Sequence, residues 1–93
     1  MDNLQVSNFI SNSGNKIANQ FKIRTNKGDY FQSYNSIIVF VPKDRNKPTQ
    51  LDSYYWDYSR TTGKYRNDFL GENIAETRRK IKEGIYKLTN LNK

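Results

Sequence analysis

The sequence predicts an α+β fold, in which a small antiparallel sheet of three to five strands carries two short helices on one face. Three observations support this prediction. Phe21 and Ile23 alternate with basic residues, which is the period-two pattern of a half-buried strand. Residues 36–41 are nearly all apolar and β-branched or aromatic, a composition that favours a central strand. Residues 73–83 place apolar side chains at helical spacing between two capping signals.

The strands are expected mainly within residues 18–41. A turn at residues 26–29 interrupts this segment, and Gly28 can adopt a positive φ there at little cost, so a hairpin is predicted. Further strands are expected near residues 51–58, which carry an aromatic cluster, and near residues 85–91, which alternate weakly.

In the N-terminal segment, Val6, Phe9 and Ile10 have helical spacing. Residues 1–17 are rich in Asn and Ser, which are poor formers of helix interiors, so an N-terminal arm or a short helix is expected there. Residues 18–93 then form a single α+β domain. With 93 residues in total, the chain is too short for two separate hydrophobic cores.

Both helices have recognisable boundaries. A helix over residues 60–70 begins after a capping residue, Ser59 or Thr61, and ends at Gly71. The helix over residues 73–83 places basic side chains near its C-terminus, where the helix dipole favours cations. The core is expected to be small and to depend on aromatic rings. Its expected members are Phe21, Ile23, Phe31, Ile37, Val39, Val41, Phe69, Ile74 and Ile81.

Composition excludes several classes of function. The chain contains no cysteine and no histidine, so disulfides, thiolate nucleophiles, Cys/His zinc sites and histidine general bases are excluded. The acidic residues do not follow a recognisable metal-ligand spacing. We therefore predict a protein that is not an enzyme and that has no cofactor and no metal site. No charged segment followed by an apolar one begins the sequence, and no apolar run reaches about 18 residues, so neither a signal peptide nor a membrane span is predicted and a cytoplasmic location is expected.

The charge of the chain indicates the chemistry of a partner. The net charge is +7, from 16 Lys and Arg residues against 9 Asp and Glu residues. Such a chain is attracted to phosphate backbones and to acidic protein surfaces. Codon bias is an alternative origin of the charge, since Asn, Lys, Ile and Tyr are all abundant here, as in products of A+T-rich genomes. The electrostatic attraction is the same for either origin.

The candidate binding residues lie in the aromatic and basic residues 54–71 and in the basic end of the second helix. Rings in such a stretch can stack on bases while cations hold phosphates. In the alternative reading, the rings fill the core and the helix end is a solvated face with Glu76 and Glu83 as ion-pair partners. The candidate binding residues are Trp56, Tyr58, Arg60, Lys64, Arg66, Arg78, Arg79 and Lys82.

A distinctive motif occupies residues 55–67, which read YWDYSRTTGKYRN, and Phe69 and Leu70 follow it. In this motif and in residues 30–38, the chain resembles a family of small proteins encoded by phages or mobile elements. The resemblance covers about residues 18–91. It implies a phage or mobile-element setting, and it assigns no activity and no catalytic or binding residue.

Two functions are expected from these observations. The first is a non-enzymatic phage-type accessory protein that binds and modulates a nucleic-acid-handling complex of its bacterial host, as an anti-CRISPR-like inhibitor of host defence does. Its partner would be a host protein or nucleoprotein complex in the cytoplasm, with no membrane involved and with the oligomeric state left open. The alternative is direct, weakly sequence-specific binding to DNA or RNA by the same surface. A structural component of a virion is a third class.

Overall fold

A six-stranded sheet is the framework of the protein in the computed structural model, which describes residues 4–93. Five strands follow one another along the chain, and two helices come before the sixth. The elements in chain order are β1 (Gln5–Ile10), β2 (Lys16–Arg24), β3 (Gly28–Ser33), β4 (Ser36–Pro42), β5 (Gln50–Asp52), α1 (Arg60–Leu70), α2 (Ile74–Lys82) and β6 (Lys87–Thr89).

The order of the strands in the sheet is the same as their order in the chain. Strands β1 to β5 form an antiparallel meander, whereas β6 returns through the two helices and pairs with β5 in parallel. The α+β class with two helices is confirmed. The expectation of three to five antiparallel strands is wrong in two respects. The additional strand is β1, which lies in the segment expected to be an arm or a short helix, and β6 pairs in parallel, which depends on contacts between distant segments.

The N-terminal segment belongs to the sheet. The expected arm or short helix is wrong for Gln5–Ile10, which forms strand β1 and pairs with β2. Phe9 anchors this strand, because its ring is buried with 2% of its surface exposed. The side-chain amide of Asn8 adds a hydrogen bond to the carbonyl of Ile17 at 3.0 Å. Residues 1–3 of the same segment lie outside the described residues.

The buried core lies between the sheet and α1, and aromatic contacts dominate it. Phe31 of β3 meets Phe9 edge-on at 5.4 Å between ring centroids and stacks on Phe69 of α1 at 5.8 Å. Tyr65, one helical turn before Phe69, meets Phe9 edge-on at 5.4 Å. The fully buried apolar residues are Phe9, Phe31, Ile38, Val39 and Leu51. The core depends on rings, as expected.

A β-bulge in β4 explains one error in the expected core. Phe31 pairs with Val39 and Gln32 pairs with Ile37, so Ile38 is the extra residue in the strand. As a result, the consecutive side chains Ile38 and Val39 are both buried, while the expected Ile37 is only half-buried. Strict alternation along the strand could not predict this.

The rest of the predicted core is partly confirmed. Phe31 and Val39 are buried as expected, and Val41, Phe69 and Ile81 pack against the buried cluster while partly exposed. The other expected members, Phe21, Ile23, Ile37 and Ile74, lie outside the cluster.

Phe21 and Ile23 lie on the face of the sheet that the helices do not cover. Ile23 is paired with Val6 on one side and with Tyr30 on the other, and Tyr30 is paired with Phe40. Because paired residues share a face, this row lies opposite the row that contains Phe31. The alternation along β2 thus has the predicted period, but the helices cover the opposite face of the sheet from the one on which Phe21 and Ile23 lie.

Local signals set the ends of the helices. The hydroxyl of Ser59 accepts a hydrogen bond from the backbone N–H of Thr62 and caps α1, and Gly71 ends that helix with a φ of 69°. The side chain of Asn73 caps α2 in the same way. The predicted helices over residues 60–70 and 73–83 are thus confirmed. Neither helix within residues 4–93 is long and apolar enough to cross a membrane.

Candidate tyrosine and basic binding surface

The aromatic stretch after β5 is a loop in the structure. The strand expected over residues 51–58 ends at Asp52, and residues 53–58 form a series of turns. The carboxylate of Asp52 is 2% exposed and accepts hydrogen bonds from the backbone N–H groups of Tyr54 (3.1 Å), Tyr55 (2.8 Å) and Leu91 (2.8 Å). The carboxylate of Asp52 therefore fixes the backbone at the start of the loop and connects it to the C-terminal residues.

These hydrogen bonds determine the ionisation of Asp52. Burial alone would raise the pKa of its carboxyl, because the charged form loses water. The hydrogen bonds from the backbone of Leu91, Tyr55 and Tyr54, together with one from Asn92, outweigh burial, so the pKa lies below its ordinary value. The charged form of Asp52 is thus a structural anchor of the loop.

Arg66 anchors the other end of the loop from within α1. Its guanidinium donates to the carbonyl of Trp56 at 2.7 Å and to the side chain of Asn67 at 3.0 Å, and it pairs with Asp57 at 3.3 Å. Its side chain is 1% exposed, and burial lowers its pKa while Asp57 partly restores it. The prediction that Arg66 supplies surface charge is therefore wrong, because its side chain is buried and both of its terminal nitrogens, Nη1 and Nη2, donate hydrogen bonds inside the protein.

The rings of the loop divide into buried and exposed groups. Trp56 and Tyr55 pack against the core, and the guanidinium of Arg66 lies 5.4 Å from the centre of the Trp56 ring. Trp56 is thus not the flat, exposed contact that was expected. Tyr58 is 61% exposed and Tyr54 is 73% exposed. Tyr58 is the predicted aromatic contact residue that the structure leaves accessible.

A basic groove of about 680 Å³ runs along the first turns of α1. It contains the predicted residues Tyr58, Arg60 and Lys64, and Arg66 closes its inner side. Arg60 and Lys64 are exposed and lie four residues apart, on one face of the helix. The first turn of α1 has no acidic residue, so the positive end of the helix dipole adds to these charges. The remaining lining residues are Asp57, Ser59, Gly63, Asn67 and Ile74.

The basic residues of α2 are arranged differently. Arg79 forms two hydrogen bonds of 3.0 Å with Glu76 and one of 2.8 Å with Glu83, and this pairing raises its pKa. Arg78 reaches Asp57 at 3.4 Å, and Lys82 is exposed. The structure thus brings only Arg78 close to the groove residues, through the shared Asp57. Arg79 behaves as the alternative reading of a solvated, paired helix end predicts.

A second cavity, which was not predicted from the sequence, adjoins the basic groove. We call this cavity of about 360 Å³ the tyrosine pocket. Tyr58 borders both cavities. The lining of the tyrosine pocket is rich in hydroxyl groups and contains no acidic residue. The residues that line it are Ser33, Tyr34, Asn35, Ser36, Ile38, Tyr55, Tyr58 and Thr62.

Tyr34 has an unusual backbone conformation at the edge of this pocket. It occupies the tight turn between β3 and β4 with a φ of 55°, where glycine is ordinarily favoured, and its side chain is 53% exposed. Two hydrogen bonds of 2.7 Å hold the turn, one from its N–H to the carbonyl of Asn19 and one from the amide of Gln32 to its carbonyl. A tyrosine between two extended segments is the sequence signal that could have marked this position.

A third polar cluster lies around Glu72, between the two helices. Its carboxylate accepts hydrogen bonds from Thr77 (2.6 Å), Lys80 (2.7 Å) and Tyr86 (2.9 Å). Burial would raise the pKa of Glu72, but these bonds outweigh it and the pKa is lowered. Each member has a partner, so the cluster connects α2 to the segment before β6. Within residues 4–93, no three acidic side chains are grouped so that they could hold a metal ion.

The fold and the site together define a small α+β protein with a surface of exposed tyrosines and unpaired helix-end cations. The chain belongs to DUF8033, a family of unknown function, whose sequence model matches residues 4–84. The match begins before β1 and ends after α2, so the N-terminal strand is part of the family domain. No curated protein and no solved structure gives a significant match to the chain.

The anchoring role of Arg66 predicts a large loss of stability when it is removed. We expect Arg66→Ala to lower the free energy of unfolding by about 3 kcal/mol, because the carbonyl of Trp56 loses its donor and a buried charge pair is broken. The measurement is urea denaturation followed by tryptophan fluorescence. Arg60→Ala, on the same helix but exposed, is the matched control and should change stability by less than about 0.5 kcal/mol. Equal effects of the two variants would contradict the assignment.

The two buried carboxylates predict a loss of stability in acid. The folded-state pKa values of Asp52 and Glu72 lie below their ordinary values of 3.8 and 4.5. Their stabilisation is therefore complete above the ordinary values and is lost as the pH falls through the lowered ones. We expect the urea midpoint to be constant between about pH 7 and pH 5 and to fall below about pH 4.

The variant Asp52→Asn isolates the contribution of one carboxylate to this pH dependence. It should lower stability at neutral pH and make the acid transition shallower. Asp68→Asn removes an exposed carboxylate of α1 and should leave both properties unchanged. A wild-type midpoint that stays level or rises between about pH 5 and pH 3 would show that the charged forms of Asp52 and Glu72 do not stabilise the fold.

Proposed function

We propose that the protein is a non-enzymatic, phage-type accessory protein that binds and modulates a nucleic-acid-handling complex of a bacterial host. Its contact surface is the tyrosine–basic surface, which we define as Tyr34, Tyr58, Arg60 and Lys64. The observation that carries the proposal is the position of exposed rings and unpaired cations side by side on a rigid support. The resemblance to phage proteins supplies the setting, and an anti-CRISPR-like inhibitor in the host cytoplasm is the concrete form.

The rings of this surface have the properties of interface anchors. Tyrosine supplies a large contact area with few rotatable bonds, and it is enriched among the residues that dominate binding energy. Tyr58 is 61% exposed, and its ring is supported by an edge-on contact of 5.4 Å with Tyr55. Little side-chain freedom remains to be lost when a partner binds.

The charges of the surface favour an acidic or phosphate-bearing partner. Arg60 and Lys64 have no ion-pair partner within residues 4–93 closer than 4.0 Å, in contrast to Arg66, Arg78 and Arg79. With a net charge of +7, the whole chain adds long-range attraction to the same kind of partner. A complex that handles nucleic acid offers both acidic protein surfaces and phosphates.

Direct, weakly sequence-specific binding to DNA or RNA is the second candidate function. The feature in its favour is that the tyrosine pocket and the basic groove share Tyr58, so a ring and two cations can meet one strand. Binding of this kind weakens steeply with salt, because counterions are released from the phosphates. A gel shift that is absent even at low salt would exclude it.

The proposed function predicts one stoichiometric host partner. In a tagged pull-down from host cells, the wild-type protein should recover a single protein or nucleoprotein complex. Tyr58→Ala and Lys64→Glu should lose most of it, because they remove an exposed ring and reverse a charge of the contact surface. Lys82→Glu makes the same change of charge on α2 and is the matched control, which should recover the partner normally.

The other outcomes of the pull-down distinguish the competing functions. Loss of the partner in Lys82→Glu, to the same extent as in Lys64→Glu, would show that general charge and not this surface is responsible. Recovery of nucleic acid without protein would support the second candidate function. Recovery only with purified virus particles would indicate a structural virion component, and recovery of nothing would contradict the proposal.

A further inference from the structure

The floor of the tyrosine pocket keeps unused hydrogen-bonding capacity. Ser33 and Thr62 are 3% and 1% exposed, and their hydroxyl oxygens are 2.9 Å apart. One hydrogen bond between two hydroxyls uses only one of the two protons and one of the four lone pairs. A donor and several acceptors therefore remain for a ligand that enters the pocket.

A second buried polar group lies beside this floor. Gln20 of β2 is paired directly with Ser33 of β3, so the two side chains share the helix-covered face of the sheet. Gln20 is 1% exposed, and its side-chain oxygen and nitrogen have no hydrogen-bond partner within residues 4–93. Buried polar groups normally have hydrogen-bond partners. Gln20 therefore adds further unused hydrogen-bonding capacity to the region beside the floor of the pocket.

The walls of the pocket are aromatic. Tyr34 and Tyr58 are both more than half exposed and both border the cavity, while Tyr55 is half-buried beneath Tyr58. The backbone of Tyr34 is held in a left-handed conformation that disfavours any residue with a side chain other than Asn or Asp. Strain that is retained at an exposed ring is a feature of binding sites.

The size of the pocket limits what it can hold. Its volume of about 360 Å³ lies at the small end of the range of roughly 300–1,000 Å³ found for small-ligand sites. One planar ring system fits this space. The exposed rings can stack on its faces, and the hydroxyls and the amide of Asn35 can bond its edge.

We propose that the tyrosine pocket receives one unstacked base of a single-stranded nucleic acid, with the flanking phosphates held by Arg60 and Lys64. This inference rests on the second candidate function, direct binding to DNA or RNA, and names the chemistry that its surface recognises. Stacking on aromatic rings beside a cationic groove is how proteins hold single strands. A duplex keeps its bases paired and stacked in its interior, so it cannot place an unstacked base in the pocket.

The alternative occupant is an aromatic side chain of a protein partner. A base is favoured because the floor offers both donors and acceptors, which a phenyl ring cannot use. It is favoured also because Tyr58 connects the pocket to a groove with two unpaired cations, and a base is always attached to a phosphate backbone. None of the residues that line the pocket is acidic, and Asp57, the acidic residue that lines the adjoining groove, is paired with Arg66 and Arg78.

Fluorescence anisotropy with labelled oligonucleotides tests this inference. The probes are single strands of DNA and of RNA of about 12 nucleotides, each compared with its duplex, at a salt concentration of about 50 mM. The wild-type protein should bind single strands more tightly than duplexes. Tyr34→Asn and Tyr58→Ala should each weaken single-strand binding by about fivefold or more, because each removes a stacking ring.

Two controls separate loss of binding from loss of fold. Asn accepts the left-handed backbone that Tyr34 adopts, so Tyr34→Asn should have a melting temperature equal to or above that of the wild type. Tyr54→Ala removes a ring that is 73% exposed and does not line the pocket, so its single-strand affinity should equal that of the wild type.

The other outcomes of these binding measurements also distinguish between the possible occupants of the pocket. Equal affinity for single strands and duplexes, unchanged affinity in folded Tyr34→Asn and Tyr58→Ala, or no binding at low salt would overturn the inference. If the wild type binds no oligonucleotide but recovers a host protein that Tyr34→Asn fails to recover, the pocket holds a protein side chain. In that case the inference fails and the proposed function stands.

Discussion

The buried guanidinium of Arg66 is the interaction on which the binding surface depends. Its bonds to the carbonyl of Trp56, to Asn67 and to Asp57 fix the loop between β5 and α1 against the helix that follows it. Asp52 fixes the start of the same loop through backbone N–H groups. A loop held at both ends by buried charges can turn some rings inward and keep others exposed without collapsing.

The same bonds decide which cations are available to a partner. The side chain of Arg66 is buried and paired with Asp57, and Arg78 pairs with the same aspartate. Arg79 is paired with two glutamates. Arg60 and Lys64 are left beside the rings. Among the predicted binding cations, Arg60 and Lys64 are therefore the two that line the groove without an ion-pair partner among residues 4–93. These two cations cost little to desolvate because they remain at the rim of the groove and keep most of their water.

The sequence predicted the features that depend on neighbouring residues and missed those that depend on contacts between distant ones. The helix boundaries were right, because caps and glycine stops act within a few residues. The period of β2 was right, but the sheet face that the helices cover is a tertiary property, so Ile23 was placed on the wrong side. The burial of Arg66 and the tyrosine pocket depend on how α1 packs against β3, which no local pattern encodes.

Chemical-shift mapping of backbone amides can locate the contact surface on the protein. On addition of a single-stranded oligonucleotide to the isotopically labelled wild-type protein, we expect the perturbed amides to cluster in residues 33–36 and 58–64. The row Ile23, Tyr30 and Phe40 on the uncovered face of the sheet should be unaffected. Perturbations centred on that row would show that the contact lies on the other face of the sheet, and the absence of any perturbation would overturn the proposed binding of single strands.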